Sequence, residues 1–256
     1  MLLPNNVNVD IRMNRTLNDF VLLSGDEDTK AKNFAIHILD ATLIITRVKL
    51  APEKQLAIEK EWLKKNVRIP LTRSKVYNKT VASGISTVSM QHILRGNIPK
   101  RVFIAMVKDE AFAGGKQEDP FFFQHNKLRE TQLKIGNKLV PKEKLVLEFQ
   151  SDATHHQRIL EGWHQTMRTL GIAGANESIN MSPDRWMKGF TIFGFDLSPD
   201  MSAGRNRSRM QQGQMDLTMQ FDGALPDTTT VLTYTEFDEE IFISPRREVV
   251  YQPVHM

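Results

Sequence analysis

The chain of 256 residues has no cysteine. Disulfides, thiolate metal sites and cysteine nucleophiles are thereby excluded, and stability has to come from packing. No run approaches the ~18 apolar residues that a membrane-spanning helix needs. The opening stretch "MLLPNNVNVDIRMNR" is too short in its apolar part, and turns polar too soon, to read as a secretory signal. The protein is therefore expected to be made and used inside a cell. A glycine-rich phosphate loop is missing: "AGG" at 113–115 and "GIAGA" at 171–175 lack the lysine or the strand–helix setting. There is no Gly-x-Ser-x-Gly nucleophile elbow and no His-x-His pair of the kind a cupin-type metal enzyme carries on a strand. An excess of one charge sign is also lacking. With 34 basic and 30 acidic residues the net charge is +4, short of the dense basic face of a nucleic-acid-binding module.

What is present is mostly strand. Val7, Val9, Ile11 and Met13 alternate with polar residues, the period of a half-buried strand. "NFAIHILDATLIITRVKL" (33–50) is rich in β-branched residues and predicts one long or bent strand. Strands are also expected within 67–90, at 101–108, on both sides of a Gly136-Asn137 hairpin turn, at 189–197, at 215–221 and between 228 and 244, where Pro245 ends the pattern.

Two segments predict helices. "APEKQLAIEKEWLKKN" (51–66) has Pro52 at a plausible first helical position, glutamate early and lysine late, which suits the helix dipole. Its apolar face is modest, and it reads as a linker. "THHQRILEGWHQTMRTLG" (154–171) has Thr154 and Gln157 as a capping box and Gly171 as its stop. Ile159, Leu160, Trp163, Met167 and Leu170 fall on one face. Many short strands and few helices predict an all-β antiparallel sandwich.

The residues that could carry chemistry read as structural. Asp196 and Asp200 end "GFTIFGFDLSPD" (189–200), and Ser and Asp beside Pro are turn formers, so turn chemistry is preferred over an acid–base pair. His155 and His156 are adjacent, a spacing that does not chelate one ion from one helix face. Arg205, Arg207 and Arg209 lie in a basic loop that reads equally as a subunit contact or a nucleic-acid contact. It has no interleaved aromatic for base stacking, so specific nucleic-acid binding is not expected. Phe121, Phe122 and Phe123 are consecutive and cannot all face one core, so at least one is expected on a loop or against a neighbouring subunit.

Four stretches, in order, carry a family resemblance. They are "ILDATLIITRVKLAP" (38–52), "PKRVFIAMVKDEAFAGGKQEDPFFFQHNKL" (99–128), "GFTIFGFDLSPD" (189–200) and "FDGALPDTTTVLTYTEFDEEIFISPRREVVY" (221–251). Together the chain resembles the double jelly-roll major capsid proteins of Polinton (Maverick) elements and adintoviruses. The resemblance implies a hexon-like, non-enzymatic shell protein with no catalytic residue, cofactor or metal. Three chains would form a trimeric capsomer in contact with neighbouring capsomers and with a minor or penton capsid protein, without a membrane. It would be found in a virion or capsid assembled in the nucleus or cytoplasm of the host. It implies residues 1–50 as the last strands of a truncated first roll, 51–66 as a linker helix and 67–256 as the second jelly roll. On that reading the chain is such a capsid protein, or a fragment or a domesticated copy of one, and Phe121, Phe122 and Phe123 with Arg205, Arg207 and Arg209 are its candidate subunit contacts. The alternative function is a jelly-roll ligand-binding, lectin-like module, which would show an exposed aromatic and polar cluster on a sheet face or loop. A metal-dependent cupin-like enzyme is the third reading.

Overall fold

Two 15-residue strands, β1 (Val67–Val81) and β8 (Thr229–Ile243), run antiparallel along their whole length, from Val67 opposite Ile243 to Val81 opposite Thr229. Between them come β2 (Thr87–Asn97), β3 (Arg101–Lys108) followed by the short helix α3 (Asp109–Ala113), β4 (Leu128–Ile135), β5 (Lys138–Val146), β6 (Ile192–Asp196) and β7 (Gln212–Phe221). The antiparallel partners are β1 with β8, β2 with β7, β3 with β6 and β4 with β5. The eight strands therefore behave as one long hairpin, folded at the β4–β5 turn. Pairing of β3 with β8 and of β4 with β7 rolls this hairpin into two sheets, β1-β8-β3-β6 and β2-β7-β4-β5. That wrapping is a jelly roll. The short β9 (Val249–Val250) adds to the end of β8. The computed structural model describes residues 3–4, 6–24, 35–149, 156–173, 179–203, 206–207 and 211–250.

Strand alternation builds the core. Met215, Leu217, Met219 and Phe221 of β7 are buried, as predicted, and face Val102, Ile104 and Met106 of β3 and Phe193 and Phe195 of β6 across the sandwich. Each such side chain contributes about 1.5–3 kcal/mol on burial. The predicted hairpin turn is present: Ile135 pairs with Lys138, and Gly136 sits at φ +56°, a conformation glycine adopts without Cβ strain.

The excursion between β5 and β6 carries α4 (His156–Leu170) and the short α5 (Pro183–Met187). Gly171, at φ +80°, ends α4 as expected, whereas Thr154 of the capping box lies outside the described residues. The predicted apolar face is only partly the packing face. Ile159 and Met167 are buried, but Leu160 and Leu170 are 45% and 37% exposed. The helix instead meets β6 through small residues, Thr166 and Thr169. Thr166 Oγ1 donates to Ile192 O (2.8 Å) and accepts from the Gly194 amide (3.2 Å). A Cβ on Gly194 would lie 2.9 Å from Thr169 Cβ and 3.2 Å from Thr166 Cα. Gly194→Ala is thus expected to push α4 off the sheet and lower stability by about 1–3 kcal/mol, read as a fall in urea midpoint.

The N-terminal expectation needs correction. Among the described residues of 1–50 there is no strand, only a one-turn helix, α1 (Asn18–Val21). The 35–50 segment has the strand-type pattern but pairs with no other strand among the described residues, and a strand is completed by its neighbour's N–H and C=O groups. Its apolar side chains stand in solvent, with Leu39 and Ile44 96% and 90% exposed. Residues 18–24 do touch the roll: Phe20 meets Phe121 edge-on at 6.2 Å, and the Ser24 amide donates to Lys116 O (2.7 Å). The predicted helix after this segment is present as α2 (Pro52–Trp62), with Pro52 in its first turn and none of its residues buried. It is tied to the turn after β8 by Arg247, which pairs with Glu59 (3.0 Å) and lies over the Trp62 ring (5.2 Å).

Candidate functional site

The two carboxylates at the end of β6 build a turn. Asp196 Oδ1 accepts from the Ser198 amide (2.9 Å) and hydroxyl (2.5 Å), and its Oδ2 accepts from the Ala203 amide (2.8 Å). Asp200 accepts from Asn206 Nδ2 (2.9 Å) and the Ser202 amide (3.3 Å), and these bonds hold its carboxyl below its ordinary range. Every one of these bonds fixes backbone or a neighbouring turn residue, which matches the turn reading of the sequence.

Arg207 is committed within the chain. Its guanidinium pairs with Glu240 (2.6 Å) and donates to Glu239 O (2.7 Å) and Leu71 O (3.3 Å), clamping the loop onto β1 and β8. Glu240 also meets Arg68, and that hydrogen bond is the main cause of its lowered carboxyl pKa. Three intrachain acceptors thus hold Arg207 in place, with its side chain 38% exposed. Arg205 and Arg209 lie outside the described residues. Of the histidines, His92 bonds Asp216 through its amide (2.7 Å), while His155 and His255 lie outside the described residues. Among the described residues no group of three or more His, Asp or Glu side chains could hold a metal ion.

The three phenylalanines part company, as their run requires. Phe123 makes a parallel bridge with Phe190, its amide donating to Gly189 O (2.8 Å) and its carbonyl accepting from the Thr191 amide (3.1 Å). Phe121 and Phe122 are 63% and 46% exposed. Phe121 and Phe123 border an apolar groove of about 540 Å³ on the outer face of the β1-β8-β3-β6 sheet. Phe103 of β3, Leu232 of β8 and Leu170 of α4 continue its walls. The groove exists because outward-facing positions of β3 and β8 are apolar as well, and α4 covers only part of them.

Phe122 turns the other way. It borders a second cavity, of about 950 Å³, between the loops at one end of the sandwich. Gly189, at φ +97°, makes room for it: a Cβ there would lie 2.2 Å from the Phe122 ring. His125 stacks on Phe149 at 4.1 Å, with 9° between the ring planes, in the same cavity. Burial, and secondarily the charge of Lys127, pushes the His125 pKa down from its ordinary value.

No protein-family model matches the chain. An uncharacterized protein of Caenorhabditis elegans is 26% identical over 179 residues, which cover 68% of this chain and 41% of that protein. Among solved structures, a chain of the Sputnik virophage superposes with a TM-score of 0.42 and 13% identity, covering 73% of this chain and 38% of that one. The mavirus major capsid protein superposes with a TM-score of 0.38 and 8% identity, covering 73% and 41%. The chain spans about two-fifths of the length of each of these three proteins. Its strand order alone makes it a jelly roll.

Sequence reasoning found the Asp196 turn and the divergence of the phenylalanines. It missed the groove and the loop-end cavity. The groove had a faint signal, the unbroken apolar run "VFIAMV" at 102–107, which reads as a strand covered on both faces. The cavity gathers Gln124–Lys127, Phe149, Met187–Gly189 and 222–226, segments with no common spacing.

Proposed function

We propose that the chain is a capsid-type structural subunit, the second jelly roll of a hexon-like shell protein related to those of Polinton elements and adintoviruses. The observation that carries this reading is the apolar groove on the outer face of the β1-β8-β3-β6 sheet, on a jelly roll whose carboxylates and Arg207 are spent on its own loops. A jelly roll alone does not specify a function. A contiguous apolar face, and separately the exposed apolar residues at 36–48, are surface that another chain or domain would bury. The ordered sequence resemblance supplies the class of partner: copies of the same chain in a trimer, then neighbouring capsomers and a minor or penton protein. On this reading residues 1–50 belong to a preceding roll, α2 links the two rolls, and the groove with Phe121 and Phe123 is the contact surface.

The test is solution mass by light scattering over a range of concentrations. A discrete trimer is expected. Phe121→Ser together with Phe190→Ser, both exposed at the groove, should convert it to monomer with the thermal midpoint nearly unchanged. A monomer at every concentration, or a trimer indifferent to both substitutions, would overturn the reading.

A further inference from the structure

The loop-end cavity is built with more care than a gap between loops requires. Asn126 and Lys127, two successive residues other than glycine, hold φ of +46° and +51°. Together they are the centre of a tight turn with both middle residues left-handed, a conformation that asparagine favours, and the turn holds this rim of the cavity in one shape. The bonds that fix it are known: the Lys127 amide donates to His125 Nδ1 (3.0 Å), the Leu128 amide to His125 O (2.8 Å), and the Asp222 amide to Lys127 O (3.0 Å). Because Nδ1 accepts, the neutral imidazole carries its proton on Nε2, as a donor with no partner among the described residues.

The ring wall is equally fixed. His125 stacks on Phe149, Phe149 lies 6.2 Å from the buried Trp186, and Trp186 meets Phe193 edge-on at 5.6 Å, so the stack is anchored in the core. Phe122, seated on Gly189, forms another wall. Two ammonium groups border the same space, Lys127 and Lys188, and neither side chain has an ion-pair partner among the described residues. Gln124, Asn126 and Asp222 add amide and carboxylate groups. The volume is at the upper end of the ~300–1,000 Å³ usual for small-molecule sites.

We infer that this cavity binds a carboxylate-bearing sugar: an acidic saccharide whose ring lies against Phe122 and the edge of the His125–Phe149 stack, whose carboxylate meets Lys127 and Lys188, and whose hydroxyls bond Asn126, Gln124 and Asp222. The chemistry selects this class. Aromatic walls suit the C–H face of a pyranose, and the cavity's mixed donors and acceptors suit hydroxyls, which both give and take hydrogen bonds. The two ammonium groups favour an anionic ligand, and Asp222, which lines the same cavity, disfavours a polyanion such as a nucleotide triphosphate. The inference stands apart from the capsid reading, because a monomer that never assembles can still bind.

The experiment is saturation-transfer and titration NMR on the full chain with sialyllactose, using lactose and inorganic phosphate as separate probes. Sialyllactose is expected to bind at least tenfold more tightly than either. Lys127→Ala and Lys188→Ala should each weaken it about tenfold, the loss of one charge-assisted hydrogen bond, while Lys188→Arg retains most of the affinity. Phe122→Leu, at a side chain that is 46% exposed, should abolish most of the saturation transfer to the ring protons with the fold intact by circular dichroism. Lactose binding as tightly as sialyllactose, phosphate binding alone, no binding at all, or binding that survives both lysine substitutions would each overturn the assignment.

Discussion

Trp186→Ala is expected to destabilise the roll by about 3–5 kcal/mol, a large share of the ~5–15 kcal/mol that holds a typical domain. Trp186 is 1% exposed and is the largest fully buried side chain. It hangs from a helix of five residues whose only described side-chain cap is Ser182 Oγ, accepting from the Arg185 amide (3.2 Å). The indole Nε1–H donates to Ile192 O (3.1 Å), and Thr191 Oγ1 donates to the Trp186 carbonyl (2.9 Å). The ring therefore pins α5 to β6 and fills the space under α4, where Gly162 approaches it. Guanidinium unfolding should show the midpoint falling with the slope unchanged. Trp186→Phe keeps most of the apolar volume, and Ile192 O keeps its bond from Thr166 Oγ1, so that variant should cost less than half as much. Equal losses in the two variants would show that the volume of the indole is not what holds the site.

Arg101→Met is expected to cost about 3 kcal/mol. The guanidinium grips Glu236 through Nη2 (2.5 Å) and Nε (2.7 Å), with the two side chains only 18% and 13% exposed. Its Nη1 donates to Thr169 O (3.1 Å) near the end of α4 and to Ala203 O (3.2 Å) in the turn after β6. One side chain thus joins β3, β8, α4 and that turn. Removing it leaves the Glu236 carboxylate without its cation, held by the Tyr234 hydroxyl (3.3 Å), and takes a donor from two carbonyls. Lysine offers one point charge and cannot reach all three acceptors, Glu236 Oε2, Thr169 O and Ala203 O, in that planar geometry, so Arg101→Lys should lose nearly as much. Adding Glu236→Leu to Arg101→Met should return at least 1 kcal/mol, because most of the loss is the uncompensated carboxylate. A double variant as unstable as the sum of the single ones would reject this account.

Legibility tracked how local the cause was. The Gly136 turn, the Asp196 turn, Pro52 and the alternation in β7 are written in neighbouring residues, and the structure carries all of them. The two-sheet antiparallel class was legible for the same reason. The 35–50 segment failed because its β-branched pattern states a capacity for pairing, while the partner has to be supplied from elsewhere. The packing face of α4 failed because apolarity was taken as the guide, whereas the close approach of Gly194 selects Thr166 and Thr169. The pairing of Arg207 with Glu240 was not legible, because nothing near Arg207 in sequence reveals that carboxylate across the loop. The loop-end cavity draws on four separate segments and could not be assembled by spacing.

The rolled-hairpin wiring also sets a timetable. The β4–β5 turn can close as soon as it is made, whereas Arg68 and its partner Glu240 are 172 residues apart. Closure entropy grows with the intervening length, so the pairings form most readily from the hairpin tip outward. At roughly 5–20 residues per second of synthesis, β1 leaves the ribosome roughly 10–30 s before β8 exists. During that interval its backbone edge is unpaired, and the arginines and lysines along it, at 68, 73, 75 and 79, act as gatekeepers that deter a nascent neighbour from taking the place of β8.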